Sequence, residues 1–378
     1  MSMAAEREGA NGRANGVNDR RERIAATVRS DVRALGRYEV ADATGCIKLD
    51  AMESPYALPA ELALALGNAI ARVPVNRYPD AGAAAVKDAL RDALALPAGV
   101  GLLVGNGSDE LIQIVTSTIA TPDAGVLAPD PSFVMYRRNA LMAQARFTAV
   151  SLRSDFSLDA GAMLGAIARE RPALVFIAYP NNPTGNLFDA ADVERIVRAA
   201  PGLVVVDEAY YAYADATFVP RVLEFPNLVV LRTVSKIGMA GLRLGYAVGH
   251  PDWIAEFDKL RPPYNVGSLT QAALPVLFEH AGLFAQQAAT ICAERARVAA
   301  ALAQRGAQVF PTKANFVLAR VPDAGASFAA LCRAKILVRN LDGWHPLLAN
   351  CLRITIGTPG ENDALIDVLG RQLAETRQ

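Results

Sequence analysis

Lys236 is a lone amine in the run VSKIGMAGLRLGY, Val234 to Tyr246, between the strand-like NLVVLRT and YAVGH; the run's one other charge is Arg243, seven positions on. A polar loop would carry several charges, and a buried strand none. An amine desolvated among small apolar residues and near another cation holds its proton weakly and becomes a nucleophile toward carbonyl carbon. A lysine so placed can carry a Schiff base. Most loop lysines are simply solvated, which fits these apolar neighbours poorly.

Three other stretches offer chemistry that such an amine would need. VVVDEAYYAY puts the carboxylate of Asp207 at the tip of an apolar strand, with the Tyr210 hydroxyl three residues on. Taken alone this is a strand-end helix cap, and a buried carboxylate there also suits a protonated ring nitrogen. In AYPNNPTGN, Ala178 to Asn186, a turn sequence follows an apolar strand and can aim the Asn182 amide at a phenolate-like oxygen. LLVGNGSDELIQIV sets Gly107, Ser108 and Asp109 at the start of an apolar-periodic helix. That is an ordinary N-cap or a phosphate cradle of free N–H groups, and it lacks the G-K-[ST] of a Walker loop. Thr233, Ser235 and Arg243 add hydroxyls and a guanidinium suited to a phosphate dianion. A ring nitrogen, a phenolic oxygen, a phosphate and an aldehyde are the four groups of pyridoxal 5′-phosphate (PLP).

Elements that could hold these groups follow from the pattern. Apolar runs GVLAPD, ALVFIAYP, GLVVVDEA, NLVVLRT and LGYAVG alternate with helix-like ELIQIVTSTIA and AADVERIVRAA, which predicts a doubly wound, mostly parallel α/β sheet covered on both faces. Ligands bind beyond the carboxyl ends of such strands, where Asn182, Asp207 and the Lys236 loop fall. After Arg261-Pro262-Pro263 a long helical stretch and the strand-like NFVLARV, ILVRN and CLRITIG predict a smaller α+β lobe completed by part of the N-terminal segment. The expected division is a disordered leader over 1–20, an N-terminal arm over 21–75, a large domain over 76–262 and a small one over 263–378.

Composition limits the alternatives. The chain has 378 residues, 52% hydrophobic and 20% charged, enough for a large core. Its 38 basic and 38 acidic residues balance, and no basic stripe appears, which argues against nucleic acid and anionic membranes as partners. Four scattered cysteines and three histidines show no metal-ligand or disulfide-framework spacing. No export signal or apolar span is evident, so the expected compartment is the cytoplasm.

The sequence resembles the fold-type I, PLP-dependent aminotransferases, and among them the histidinol-phosphate branch. KLDAMESPYALP, NRYPD, GNGSDELI, PDPSFVMY, YPNNPTGN, VVVDEAYY, TVSKIGMAGLRLGY and CLRITIG carry the resemblance, in that order. It implies that Lys236 binds the PLP aldehyde, Asp207 the ring nitrogen, and Asn182 and Tyr210 the phenolic oxygen, with Phe133 stacked on the ring. It implies a phosphate site of Gly107, Ser108, Asp109, Ser235 and Arg243, with Thr233 beside them. Tyr78 would reach the cofactor of a neighbouring subunit in a homodimer. Arg353, Arg339, Asn182 and Tyr38 would bind substrate.

The implied activity moves an amino group between L-histidinol phosphate and 2-oxoglutarate, giving imidazole acetol phosphate and glutamate. Rival expectations are an aromatic or broad amino-acid aminotransferase, a threonine-phosphate decarboxylase and, more remotely, a PLP-binding regulatory module. Met52 stands where many such relatives have Asn, so what this segment contributes is a question for the structure.

Overall fold

The structure is a computed structural model and describes residues 19–37 and 40–375. By internal contacts the chain forms two units, Met1–Asp42 and Ala43–Gln378. Within the described part of the first, residues 19–27 and Ser30–Arg33 are helical. The expected leader over 1–20 lies outside the described residues except for Asp19 and Arg20, which are helical. Tyr38 also lies outside them.

In the second unit the strands are, in chain order, β1 (Ile47–Lys48), β2 (Gly101–Gly105), β3 (Val126–Asp130), β4 (Phe147–Ser151), β5 (Leu174–Ala178), β6 (Leu203–Asp207), β7 (Leu228–Thr233), β8 (Gly245–Gly249), β9 (Gln308–Val309), β10 (Phe316–Arg320), β11 (Ile336–Leu337), β12 (Arg339–Asn340) and β13 (Cys351–Thr355). β2 to β8 make a sheet in the order β2-β8-β7-β6-β5-β3-β4. Strand periodicity divides its side chains between two cores. Val204, Val206 and Val230 pack on one side with Met163, Val193 and Leu274, whereas Leu203, Val205 and Leu231 pack on the other with Leu111, Ile112 and Tyr136. Uninterrupted apolar strands are the consequence of being covered twice.

The sheet is parallel except at β8, which runs antiparallel to both β7 and β2. The sequence reading placed LGYAVG among the parallel strands. Residues 234–244 contain only short 3-10 turns and no crossover helix, so the chain can return only in the reverse direction.

A second core surrounds the antiparallel sheet β12-β13-β10-β9. β1 pairs in parallel with β11, and the Thr355 N–H donates to the Leu49 carbonyl, so the Ile47–Met52 segment is stitched into this lobe. Beyond the break expected at Arg261–Pro263, helix Ser268–Phe278 buries Leu274 and Leu277 in the core of the large sheet. The cores change over within helix Ala281–Gln304, where Phe284 joins the first and Ile291, Val298 and Leu302 the second. A helix can serve two cores by presenting different faces along its length, which periodicity alone does not reveal.

Candidate active site

Asp207 ends β6 on the face that carries Leu203 and Val205, and it is only 4% exposed. Its Oδ2 accepts a hydrogen bond from the Tyr136 hydroxyl (2.8 Å) and its Oδ1 one from the Ala209 N–H (3.1 Å). Among the described residues no cation pairs with it. Burial raises its pKa to about 6, the two hydrogen bonds opposing the rise and the nearby Asp109 and Glu208 charges adding to it. Tyr136, on helix Val134–Met142, is held by stacking on Phe176 with ring centroids 4.5 Å apart.

At the end of β2 the chain turns into helix Gly107–Ile119, whose first N–H groups have no partner within the helix. The Asn106 N–H is satisfied by the Glu110 carboxylate at 2.7 Å, from one turn into the helix. Gly107 has φ +81°, and a Cβ there would lie 2.7 Å from the Arg243 guanidinium. Gly245 allows β8 to pass close by, since its Cβ would fall 2.4 Å from the Ser108 nitrogen. Only glycine fits these approaches.

Arg243 completes this end of the site. Its guanidinium donates to the Ser235 hydroxyl (3.3 Å) and lies 3.6 Å from the Asp109 carboxylate. Thr233 accepts from the Ser235 N–H (3.1 Å) and donates to the Leu244 carbonyl (3.0 Å), which fixes the turn after β7. Main-chain N–H groups, hydroxyls and one guanidinium thus face the same space, an arrangement suited to a phosphate. The Asp109 carboxylate holds Arg243 from the helix start.

Lys236 follows within the 3-10 turn Ser235–Ile237, which Gly238 ends at φ +104°. Its Nζ donates to the Ala51 carbonyl at 3.2 Å. Burial, and next the Arg353 guanidinium, lower its pKa from 10.5 to about 8, against the Asp109 and Glu53 charges; Arg243 adds a further lowering. The side chain borders the cavity and is closely surrounded elsewhere. This amine is partly unprotonated near neutral pH, as a nucleophile requires.

The segment around Met52 acts through its backbone. Met52 sits in the left-handed region at φ 54°, its N–H donates to Thr355 Oγ1 (3.0 Å), and its carbonyl accepts from the Asn315 amide (2.9 Å). The Ala51 carbonyl is thereby held against Lys236. Asn182 accepts at Oδ1 from the Arg353 guanidinium (2.6 Å), which leaves its amide nitrogen to point elsewhere in the site. Its neighbour Asn181, fully buried, donates to the Pro131 carbonyl and to Thr184 and so locks the turn.

These groups line one cavity with about 560 Å³ of empty space counted to its open mouth. Ser108, Asp109, Thr233, Ser235 and Arg243 border it at the anion end. Lys236, Asp207, Tyr210, Asn182 and Phe133 border the rest, with Gly107 shaping the turn behind Ser108. Arg353 reaches the cavity through Asn182, and Arg339 lies opposite Arg353 in the β12–β13 ladder. Tyr78 is not in the cavity; it is 81% exposed and stacks on Tyr264 at 4.6 Å. Tyr38 lies outside the described residues.

Residues 44–369 match the model of the family described as aminotransferase class I and II. The chain belongs to the class I and II aminotransferases. It is 52% identical to "Histidinol-phosphate aminotransferase 1" of Ralstonia nicotianae, an alignment covering 92% of this chain and 95% of that protein. It is likewise 52% identical to "Histidinol-phosphate aminotransferase" of Chromobacterium violaceum over 91% of this chain and 97% of that one. Among solved structures, the histidinol-phosphate aminotransferase of Sinorhizobium meliloti in complex with pyridoxal-5′-phosphate superposes with a TM-score of 0.82, covering 93% of this chain and 98% of that one. At 24% identity that likeness bears on the fold.

For this aminotransferase, the sequence reading passed over Tyr136, Asn181 and the Ala51 carbonyl. Tyr136 had a visible signal, since it stands one helical turn after Phe133 in PSFVMY. Asn181 differs from Asn182 only in which way the turn points it, and a backbone carbonyl leaves no mark in sequence.

Proposed function

We propose that this aminotransferase uses PLP to exchange an amino group between L-histidinol phosphate and 2-oxoglutarate, giving imidazole acetol phosphate and glutamate. The observation that carries the reading is a buried Asp207 carboxylate with no cationic partner among the described residues, in a cavity whose other end is an anion cradle and whose wall holds a low-pKa amine. The donor set fits PLP group by group: the phosphate at Ser108, Ser235 and Arg243, the ring nitrogen at Asp207, the phenolic oxygen at Asn182 and Tyr210, and the aldehyde at Lys236. Phe133 would cover the ring. Bound, PLP supplies an aldehyde and a ring that accepts electrons.

The chain's own groups do the rest. Lys236, once its amine is free, takes the proton from the substrate's Cα, and a pKa near 8 leaves enough unprotonated amine for the task. Asp207 keeps the ring nitrogen protonated, because a carboxylate in a dry site has strong need of a cation. Arg353 orients the substrate's anionic group and, by its bond to Asn182, couples that position to the cofactor site.

Substrate choice is assigned to Arg339 and Arg353. Opposed residues of an antiparallel pair share a face, and like charges so placed repel unless an anion lies between them. Arg339 stacks on Trp344 at 4.8 Å and forms no ion pair among the described residues. A phosphate dianion suits two such guanidiniums better than a single carboxylate does. Arg339→Gln is therefore expected to raise KM for histidinol phosphate about tenfold or more, the loss of one charge-assisted bond, and KM for glutamate only two- to threefold. An equal rise for both would remove Arg339 from phosphate recognition.

The activity itself is tested in a half-reaction. Histidinol phosphate should bleach the visible absorbance of the PLP-loaded protein, and 2-oxoglutarate restore it. Faster bleaching by phenylalanine, or release of CO₂ from threonine phosphate, would replace this substrate assignment.

The working form is a homodimer in which Tyr78 serves the neighbouring cavity. Its exposure, its stacking on Tyr264 and the nearby exposed Val75 (81%) support this, because such apolar surface favours a partner. Sedimentation at twice the chain mass, with Tyr78→Ala lowering affinity for PLP while the dimer persists, is the expected result; a monomer of full activity would end the proposal. The cytoplasm is the assigned compartment, consistent with four free cysteines and with no described helix long and apolar enough to cross a membrane.

A further inference from the structure

The groups assigned so far touch the cofactor or the substrate, yet the main chain of Lys236 also has a tie of its own. The Tyr213 hydroxyl donates to the Lys236 carbonyl at 2.5 Å. Tyr213 is 3% exposed, and burial keeps its hydroxyl protonated, the pKa being driven well above its ordinary value. It closes the 3-10 turn Tyr211–Tyr213, in which the Tyr213 N–H donates to the Tyr210 carbonyl at 3.0 Å. The stretch from Asp207 to Tyr213 therefore delivers three side chains, one to the cavity floor, one to its wall and one to the backbone of the lysine.

The other side of Tyr213 is anchored in the second core. Its carbonyl accepts from the Arg295 guanidinium (3.3 Å) and lies 3.9 Å from the Cys292 thiol, both on helix Ala281–Gln304. Arg295 also donates to the Ala314 carbonyl (2.8 Å), just ahead of β10. Tyr213 packs with the residues of that core, among them Phe316 and Ile354. A continuous path of hydrogen bonds runs from the smaller lobe, through Tyr213, to the peptide of Lys236.

We propose that Tyr213 is a positioning residue for the reactive lysine, fixing its main chain so that only the side chain moves. The proposal rests on Lys236 being the cofactor-bound amine. Lys236 must leave the cofactor and then reach the substrate's Cα, and misplacement of its amine by a fraction of an ångström would slow proton transfer without altering substrate affinity. The short 3-10 turns around it are tied by Val234, whose N–H donates to the Leu244 carbonyl (3.1 Å) and whose carbonyl accepts from the Ile237 and Met239 N–H groups (3.3 and 3.2 Å), and none of these bonds engages the Lys236 carbonyl. A single strong bond from a rigid phenol supplies what those turns lack.

Tyr213→Phe preserves the packing and removes only the hydroxyl. In the PLP-loaded protein, with glutamate as amino donor, the expected result is a kcat about tenfold lower, the size of one lost hydrogen bond, with KM within twofold. In the cofactor-free protein, amide hydrogen exchange in residues 234–244 should quicken about tenfold while the rest of the sheet is unchanged. Unaltered kcat and unaltered exchange would overturn the proposal even if the protein melted at a lower temperature. Should Tyr213→Phe fail to fold, Arg295→Met loosens the far end of the same path and leaves the hydroxyl in place. It must then give a smaller fall in kcat at constant KM, and no fall overturns the proposal. Lys236→Ala separates the two claims: if it retains turnover, the assignment of the lysine fails, whereas an inert Tyr213→Phe beside an inactive Lys236→Ala sinks only the role of Tyr213.

Discussion

Lys236→Ala is expected to lower transamination by about 10⁴-fold or more, because it removes both the covalent attachment and the base that moves the Cα proton. The readout is turnover with saturating PLP and glutamate, with folding confirmed by an unchanged circular dichroism spectrum of the cofactor-free protein. Lys236→Arg should be equally inactive. A guanidinium retains its proton where the amine, with a pKa near 8, gives it up, so charge alone cannot substitute. Turnover within tenfold of wild type for either variant would end the mechanism.

The same lowered pKa predicts how the cofactor-free protein responds to pH. In the unfolded chain the amine titrates near 10.5, and in the folded chain near 8. Between these values the unfolded state binds more protons, so this lysine makes stability rise as pH increases from about 8 to 10.5. The Lys236→Ala protein should lack that rise in denaturant midpoint.

Asp207→Asn carries the second large effect, a fall in turnover on the order of 10³-fold, since an amide cannot hold a proton on the ring nitrogen electrostatically. The stability of the cofactor-free protein should move the other way. The folded pKa of Asp207 lies near 6 and its ordinary value is 3.8, so from pH 3.8 to 6 the native state binds more protons and stability falls as pH rises. Above pH 6 the whole cost persists, on the order of 3 kcal/mol at most for a shift of this size. Asp207→Asn should therefore be the more stable protein at pH 7 to 8 without cofactor, and should gain little below pH 3.8. Denaturant melts at pH 4 and pH 8 check this; a destabilised variant at pH 8 would mean that the protein itself pairs this carboxylate with a cation.

Such opposed effects on activity and stability are usual where a site serves function at the expense of stability. The Glu208–Arg232 pair next to Asp207 makes the contrast plain. Glu208 is wholly buried too, but its Oε2 accepts from two nitrogens of Arg232 at 2.9 and 2.8 Å, so its charge is satisfied internally. Two adjacent carboxylates, one ending β6 and one just beyond it, thus differ in purpose: one is satisfied by Arg232, and the other borders the cavity.

Much of this was readable in advance because it depends on residue type and local order. Apolar runs such as LVFIA and LVVVD are dictated by burial on both faces, and whatever ends such a strand must lie at the sheet's carboxyl edge. That rule alone brings Asn182, Asp207 and Lys236 together. Gly107 was likewise visible, whereas the need for glycine at 245, the close approach to Ser108, is not local.

Local order does not carry direction or partnership. Whether β8 runs with or against its neighbours was decided by the absence of a helix between it and β7, and the reach of the first core into helix Ser268–Phe278 by which faces found each other. Tyr136, the Ala51 carbonyl and Tyr213 gain their roles from groups 71, 185 and 23 positions away. The chain's own text determined the strands, the reactive types and the edge where they gather, since these follow from hydrophobic period and side-chain chemistry. Only the tertiary structure decided which hydroxyl meets Asp207, which carbonyl holds Lys236 and how the two arginines face one another, because hydrogen bonds are short and directional and depend on where distant backbone comes to rest.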